Sequence, residues 1–249
     1  MKNILITGSS GNLGSGIIKS EKFQSLLFPN HEEMDIINED SVKNFFESNN
    51  FDAVIHCAAL VNQKECEENP SKAIKTNMIG TCNLVNEVLK KESKENKKIR
   101  FIYISTDGVY QRKEGNYKET SSTIPMNVYG WTKFGGECSV KTLKNHCIIR
   151  TSFFIPEKLN FKEVPIDVYT SKLPINDLVN AIKLLLESKF IGVINVGSKR
   201  TSNYDLFKKY LPDLKQVKLD DIKDSLPFEL PRDSSMNVDL WDEIKSHNA

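Results

Sequence analysis

The sequence predicts an α/β protein built on a doubly wound parallel sheet. Three observations carry this reading. At least five short apolar strands alternate with helical patterns, a glycine-rich turn joins the first strand to the first helix, and 249 residues suffice for one such domain with a small additional lobe. Lys and Arg number 34 against 33 Asp and Glu, a net charge of +1, which removes the electrostatic footing for nucleic acid or an anionic membrane surface. At 39% hydrophobic and 27% charged, the composition is that of a globular chain. Every apolar run is broken well before the roughly 18 residues that a spanning helix needs. The N-terminus carries no signal-like segment, so a cytoplasmic protein is expected.

Lys2 to Thr7 reads as a strand, followed by a tight turn and a helix on which Leu13, Ile17 and Ile18 recur at helical spacing. Gln24 to Phe28 is expected as a second strand, stopped by Pro29-Asn30. Val42, Phe45 and Phe46 mark one face of a helix over Asp40 to Asn49. Asp52 to Cys57 is apolar on both faces, as a buried parallel strand should be. Asn69-Pro70 supplies a cap and a first-turn proline for a helix carried forward by Ala73, Ile74, Met78, Cys82, Leu84, Val85, Val88 and Leu89. Ile99 to Ser105 is the next strand; a polar loop from Gln111 to Pro125 leads to a helix over Val128 to Asn145 and a strand over Cys147 to Thr151. Phe153 to Thr170 is irregular, Pro174 to Ser188 a helix, Gly192 to Val196 a strand, Tyr204 to Leu211 a helix, and the tail is mixed. Residues 1–151 are thus expected as the main α/β domain, with 152–249 a small lobe interleaved with it.

Gly8-Ser9-Ser10-Gly11-Asn12-Leu13-Gly14 spaces three glycines between that first strand and helix. The first permits the sharp turn, the second lets backbone approach a pyrophosphate, and the third lets helix pack on strand, with the helix N-terminus facing the anion. A Rossmann-type dinucleotide site follows; a ligand-free glycine connector is the alternative. No acidic residue follows the second strand to hold an adenosine ribose, because Phe28-Pro29-Asn30-His31 stands there. Asn30 and His31 can meet a 2′-phosphate or be plain loop residues, so the cofactor is NADP or NAD, with NADP favoured. Five scattered cysteines and four scattered histidines have no metal-ligand spacing, and no metal is expected.

Tyr129 and Lys133 stand four apart on the predicted helix and share a face. An ammonium beside a phenol stabilises the phenolate, which fits proton exchange with a carbonyl or alcohol. Ser105-Thr106-Asp107 closes the preceding strand at the end where such sheets present ligands, so Thr106 is placed to hydrogen-bond a substrate oxygen or to cap the turn that follows.

Ser105-Thr106-Asp107-Gly108-Val109-Tyr110 and Pro125-Met126-Asn127-Val128-Tyr129-Gly130-Trp131-Thr132-Lys133, with Glu33-Met34-Asp35-Ile36, Cys57-Ala58-Ala59, Cys66-Glu67-Glu68-Asn69-Pro70, Tyr117-Lys118-Glu119-Thr120 and Arg150-Thr151-Ser152, resemble the extended short-chain dehydrogenase/reductase family, specifically its dTDP-4-dehydrorhamnose reductase branch. Ser171 with Asp177-Leu178, and Pro231 to Met236, resemble that branch's closing motifs. The resemblance implies that Gly8, Gly11, Asn12 and Leu13 hold the pyrophosphate, that Asp35 and Ile36 flank the adenine, and that Ala58, Ala59 and Leu60 line the cofactor channel. It makes Tyr129 the proton donor, Lys133 the ribose ligand and Thr106 the orienter of the carbonyl, with Asp107 and Phe153 near the sugar. The implied reaction is hydride transfer from NAD(P)H to the 4-keto carbon of a nucleotide-linked 4-keto-6-deoxy sugar, the expected partner; a homodimer is also compatible. Gln63-Lys64, Gly108, Phe153 and the short stretch between Phe161 and Ser171 depart from the branch on the substrate side. An epimerase or dehydratase of the extended family and a non-catalytic NAD(P)-binding regulatory subunit are the alternatives.

Overall fold

A computed structural model describes residues 3–225 and 230–247; the expected strand start at Lys2 lies outside them. The chain runs β1 (Ile4–Thr7), α1 (Asn12–Lys19), β2 (Leu26–Leu27), α2 (Glu39–Ser48), β3 (Ala53–His56), α3 (Gln63–Glu68) and α4 (Pro70–Ala73). A π-helical turn, Ile74–Ile79, joins α4 to α5 (Gly80–Glu95). Then come β4 (Arg100–Ile104), α6 (Val128–Val140), β5 (His146–Thr151), β6 (Phe153–Phe154), β7 (Glu163–Pro165), β8 (Tyr169–Thr170), β9 (Leu173–Pro174) and α7 (Ile175–Glu187). The remainder is β10 (Gly192–Val196), β11 (Thr201–Ser202), α8 (Asn203–Phe207), β12 (Lys215–Val217), α9 (Leu219–Ile222) and α10 (Asp239–His247).

Six parallel strands form the main sheet in the order β10-β5-β4-β3-β1-β2. Because side chains alternate along a strand, each strand serves two cores. Ile6, Ile55, Ile102, Ile149 and Ile194 face α1 and α7, joined by Trp241 of α10. Leu5, Val54, Phe101, Tyr103 and Ile148 face α2, α5 and α6. Burial on both faces explains why these strands read as continuous apolar runs. The strand order reverses direction between β1 and β3, and ligands bind at that switch point, outside the carboxyl ends of the strands.

The small lobe is stitched from two-stranded pairs, β6 with β9, β7 with β12 and β8 with β11. They close over a core of Phe154, Val164, Leu206, Phe207 and Leu214. Between these pieces the chain returns to the main sheet as α7 and β10.

Several local expectations change. The second strand shrinks to Leu26–Leu27 because Ser25, at φ 54, turns the backbone just before it. The stretch 153–170 is ordered into short strands rather than irregular. The helix from Val128 ends at Val140, and the one near Tyr204 spans only Asn203–Phe207. Helix α3 was not expected; Asn62 caps it by accepting from Glu65 N at 3.1 Å.

Candidate active site

The turn after β1 closes against the start of the loop after β3. Gly8 has φ +71, and a Cβ there would lie 2.6 Å from the Ala58 nitrogen, so only glycine fits. The first turn of α1 has no side-chain cap and no acidic residue, leaving the amides of Asn12 and Leu13 directed at the crevice. Leu13 itself packs in the core, so its contribution to the crevice is its backbone. The Asn12 amide oxygen accepts from Lys158 Nζ at 2.9 Å, tying the turn to the small lobe.

A cleft of about 850 Å³ extends from this turn, lined by Gly8, Gly11, Asp35, Ile36, Ala58 and Ala59 among others. Six residues proposed from sequence therefore meet in one cavity, large enough for a dinucleotide. His31 and Lys75 line the same cleft. Asn30 is otherwise engaged: its side-chain oxygen accepts from the amides of Glu32 at 2.8 Å and Glu33 at 3.0 Å, an Asx-type turn. Leu60 is held just beyond, by a pair of hydrogen bonds to the Asn77 side chain at 2.8 and 3.0 Å.

Helix α6 carries Tyr129 and Lys133, and Thr106 follows β4 at its carboxyl end. Asn127 caps it through Gly130 N at 2.8 Å, and Glu67 of α3 accepts from Val128 N at 2.8 Å, which fixes where the helix begins. Gly136 lets α6 approach the π-helical turn, since a Cβ there would stand 3.0 Å from the Asn77 carbonyl oxygen and inside contact of the Tyr103 hydroxyl. Asn77 completes the join by donating to Thr132 Oγ1 at 2.9 Å. The sequence offered no sign of Asn77, because the π turn sits inside a pattern that reads as one unbroken helix. Such turns recur at functional sites.

Lys133 is buried, with its ammonium 4.1 Å from the centre of the Tyr103 ring. Burial lowers its pKa to about 7, against the opposing pull of Glu137 and Cys57. Beside it His56 is wholly buried between the hydroxyls of Thr7 at 2.6 Å and Thr81 at 3.0 Å; burial and the Lys133 charge keep it neutral. Tyr129 is pushed up to about 12, chiefly by burial, with the Thr106 hydroxyl and the Arg112 charge pulling the other way and Asp107 adding to the rise. Thr106 is a hub: it accepts from Gly108 N at 3.0 Å and donates to Asp107 Oδ1 at 3.2 Å. Asp107 is buried and paired with Arg112 at 3.1 Å. Phe153, half-buried against the main core, leaves the same sheet edge two residues after β5.

A buried polar network underlies this layer. Glu137, one helical turn beyond Lys133, receives Arg150 in a two-pronged pair at 3.0 and 2.7 Å and Ser105 Oγ at 2.5 Å. Arg150 also donates to Tyr110 Oη at 2.9 Å, which donates in turn to Asn195 Oδ1 on β10 at 2.8 Å.

Lys133 predicts a pH dependence of the cofactor-free fold. Its folded pKa lies below the ordinary lysine value, so between about pH 7 and 10 the unfolded chain holds a proton that the native state lacks, and stability rises with pH. Cys57 and Tyr129, both raised to about 12, act oppositely, costing stability once pH passes their ordinary values. Denaturation of wild type against Lys133→Met should therefore show the wild type gaining up to about 1.4 kcal/mol per pH unit between pH 7 and 9. A constant difference across that range would contradict the low pKa.

A phosphate turn at the switch point and a Tyr and Lys four apart on α6, with Thr106 at the end of β4, define the extended short-chain dehydrogenase/reductase class. Within it, the chain belongs to the family described as the RmlD substrate binding domain, whose model matches residues 1–174. It is 32% identical over 163 residues to a dTDP-4-dehydrorhamnose reductase of Aggregatibacter actinomycetemcomitans, covering 63% of this chain and 53% of that protein. A reductase of the same name from Mycolicibacterium smegmatis is 31% identical over 157 residues, covering 61% and 46%. The chain thus spans about half the length of the curated relatives it matches. In three dimensions it superposes on a dTDP-4-dehydrorhamnose reductase of Bacillus anthracis solved in complex with NADP, with a TM-score of 0.81, 22% identity, and coverage of 99% of this chain and 98% of that one. No helix among the described residues is long and apolar enough to cross a membrane, and no group of His, Cys, Asp or Glu among them could hold a metal ion.

Proposed function

We propose that the chain is an NADPH-dependent reductase of a nucleotide-linked 4-keto-6-deoxy sugar, working in the cytoplasm. The observation that supports the reading is the Thr106 hydroxyl at the end of β4 acting on Tyr129, with Lys133 one turn along the same helix, in a fold whose glycine turn admits only bare backbone next to Ala58. The names of the matched relatives support it.

A bound nicotinamide would supply the hydride. The remaining work falls to side chains. Tyr129, protonated at neutral pH, gives its proton to the oxygen of the former carbonyl. Thr106 orients that oxygen through its hydroxyl. Lys133 binds ribose hydroxyls, and any anion or phenolate beside it raises its pKa back above neutrality. The amides of Asn12 and Leu13 take the pyrophosphate. His31, 3.6 Å from Asp35, and Lys75 line the cleft and suit a 2′-phosphate.

The test is oxidation of NADPH or NADH by purified protein with dTDP-, GDP- and CDP-4-keto-6-deoxy sugars. Turnover with one of them is expected; none with any would defeat the reading. The double variant His31→Ala/Lys75→Ala should raise KM for NADPH by about tenfold with NADH unaffected, as removal of charge-assisted phosphate contacts requires. Equal changes for both cofactors would place the 2′-phosphate elsewhere.

A further inference from the structure

One cation in the site has no counterpart in the proposed chemistry. Arg112 holds a left-handed backbone, φ +60, which a long side chain rarely adopts. That geometry returns its guanidinium to the floor of the site. Arg112 Nη2 donates to Asp107 Oδ1 at 3.1 Å, the same oxygen that accepts from Thr106. A Cβ on Gly108 would lie 4.0 Å from Arg112 Cζ, in ordinary van der Waals contact, so the guanidinium lies alongside Gly108. Its Nε is buried with no hydrogen-bond partner. A guanidinium carries five N–H donors, and Asp107 uses one. Lys172, between β8 and β9, faces both Asp107 and Arg112, whose charges act on its ammonium in opposite senses. Burial is the larger influence on Lys172 and lowers its pKa, so the fixed positive charge of this corner, beside the Tyr129 hydroxyl, is the Arg112 guanidinium.

We propose that Arg112 is a specificity-determining residue that binds an anionic group of the substrate, a phosphate or carboxylate of a sugar nucleotide, next to Tyr129. Asp107 acts as a positioning residue, aiming the guanidinium. The inference rests on the reductase reading for the identity of the substrate but not for the presence of the anion site. A guanidinium with unused donors is built for planar, two-pronged capture of such groups.

The test compares wild type, Arg112→Gln and Arg112→Gly. Glycine fits the left-handed backbone, and thermal denaturation of each variant separates loss of the buried Asp107 partner from loss of binding. Calorimetric titration with dTDP, without cofactor turnover, reads the phosphate source, and a weakening of about tenfold or more in both variants is expected if Arg112 holds the diphosphate. Unchanged dTDP binding, with kcat/KM falling at least about tenfold for a nucleotide-linked 4-keto uronate but not for its 6-deoxy analogue, assigns the anion to a sugar carboxylate. With dTDP binding unchanged, equal losses on charged and neutral sugars, or no change on any ligand, overturn the proposal and leave Arg112 a structural partner of Asp107. Arg112-dependent dTDP binding by a protein that reduces no keto sugar would refute the reductase reading alone.

Discussion

Replacing Tyr129 with Phe is expected to lower kcat for keto-sugar reduction by roughly 10²–10⁴-fold, the range general acids contribute. NADPH affinity and thermal stability should hardly change, because the Thr106 hydroxyl is the partner of the Tyr129 hydroxyl and the ring stays in place. The phenol is held protonated near neutral pH by burial, against Thr106 and Arg112. Rapid-mixing kinetics with reduced cofactor and keto sugar would separate the proton-transfer step from binding. Loss of binding without loss of the chemical step would deny Tyr129 the role of acid. Thr106→Val should act in the same direction more weakly, since it removes an orienting hydroxyl and leaves the acid.

The second large effect concerns stability. Glu137→Gln leaves Arg150, 2% exposed, without its charged partner in the interior, and should destabilise the fold by about 3–5 kcal/mol. Arg150→Met should cost a similar amount by stranding Glu137. The double variant Glu137→Gln/Arg150→Met should cost clearly less than the two singles together, because no unpaired charge remains. Urea denaturation of the four proteins measures this coupling; additive losses would mean that the pair is not a unit. Lys133 stands one helical turn from Glu137, so the single variants should also raise KM for the cofactor.

Much of this was legible beforehand, for identifiable reasons. The runs at Ile4, Ala53, Arg100 and Cys147 are apolar on both faces because helices cover both sides of a parallel sheet, and such runs have few other readings. The placement of Tyr129 and Lys133 on one helix and of Thr106 after a strand was legible because spacing and position at a strand end are both properties of the chain alone. What escaped depends on distance along the chain. Asn195 meets Tyr110 across 85 residues, and Asn77 meets Thr132 across 55. No local pattern marks either partner. The pairing of Arg112 with Asp107 accompanies a positive φ at 112, which an arginine in the sequence does not announce. β2 was overestimated because apolar content was visible at Gln24 to Phe28 but the turn at Ser25 was not.

The order of the sheet also bears on how the protein is made. β5 is central, yet one of its neighbours, β10, lies some forty residues further along and carries the Asn195 that closes the Arg150 network. While the chain emerges from a ribosome, Arg150 and Glu137 are synthesised well before the strand that seals them from water. Until residue 192 has cleared the exit tunnel, β5 presents an open edge and the Tyr110 hydroxyl has lost its acceptor. The last strand of the six-stranded sheet to be translated is therefore the one that shuts the interior around α6, and a translation product ending after residue 151 but before residue 192 would carry the Glu137–Arg150 pair half exposed.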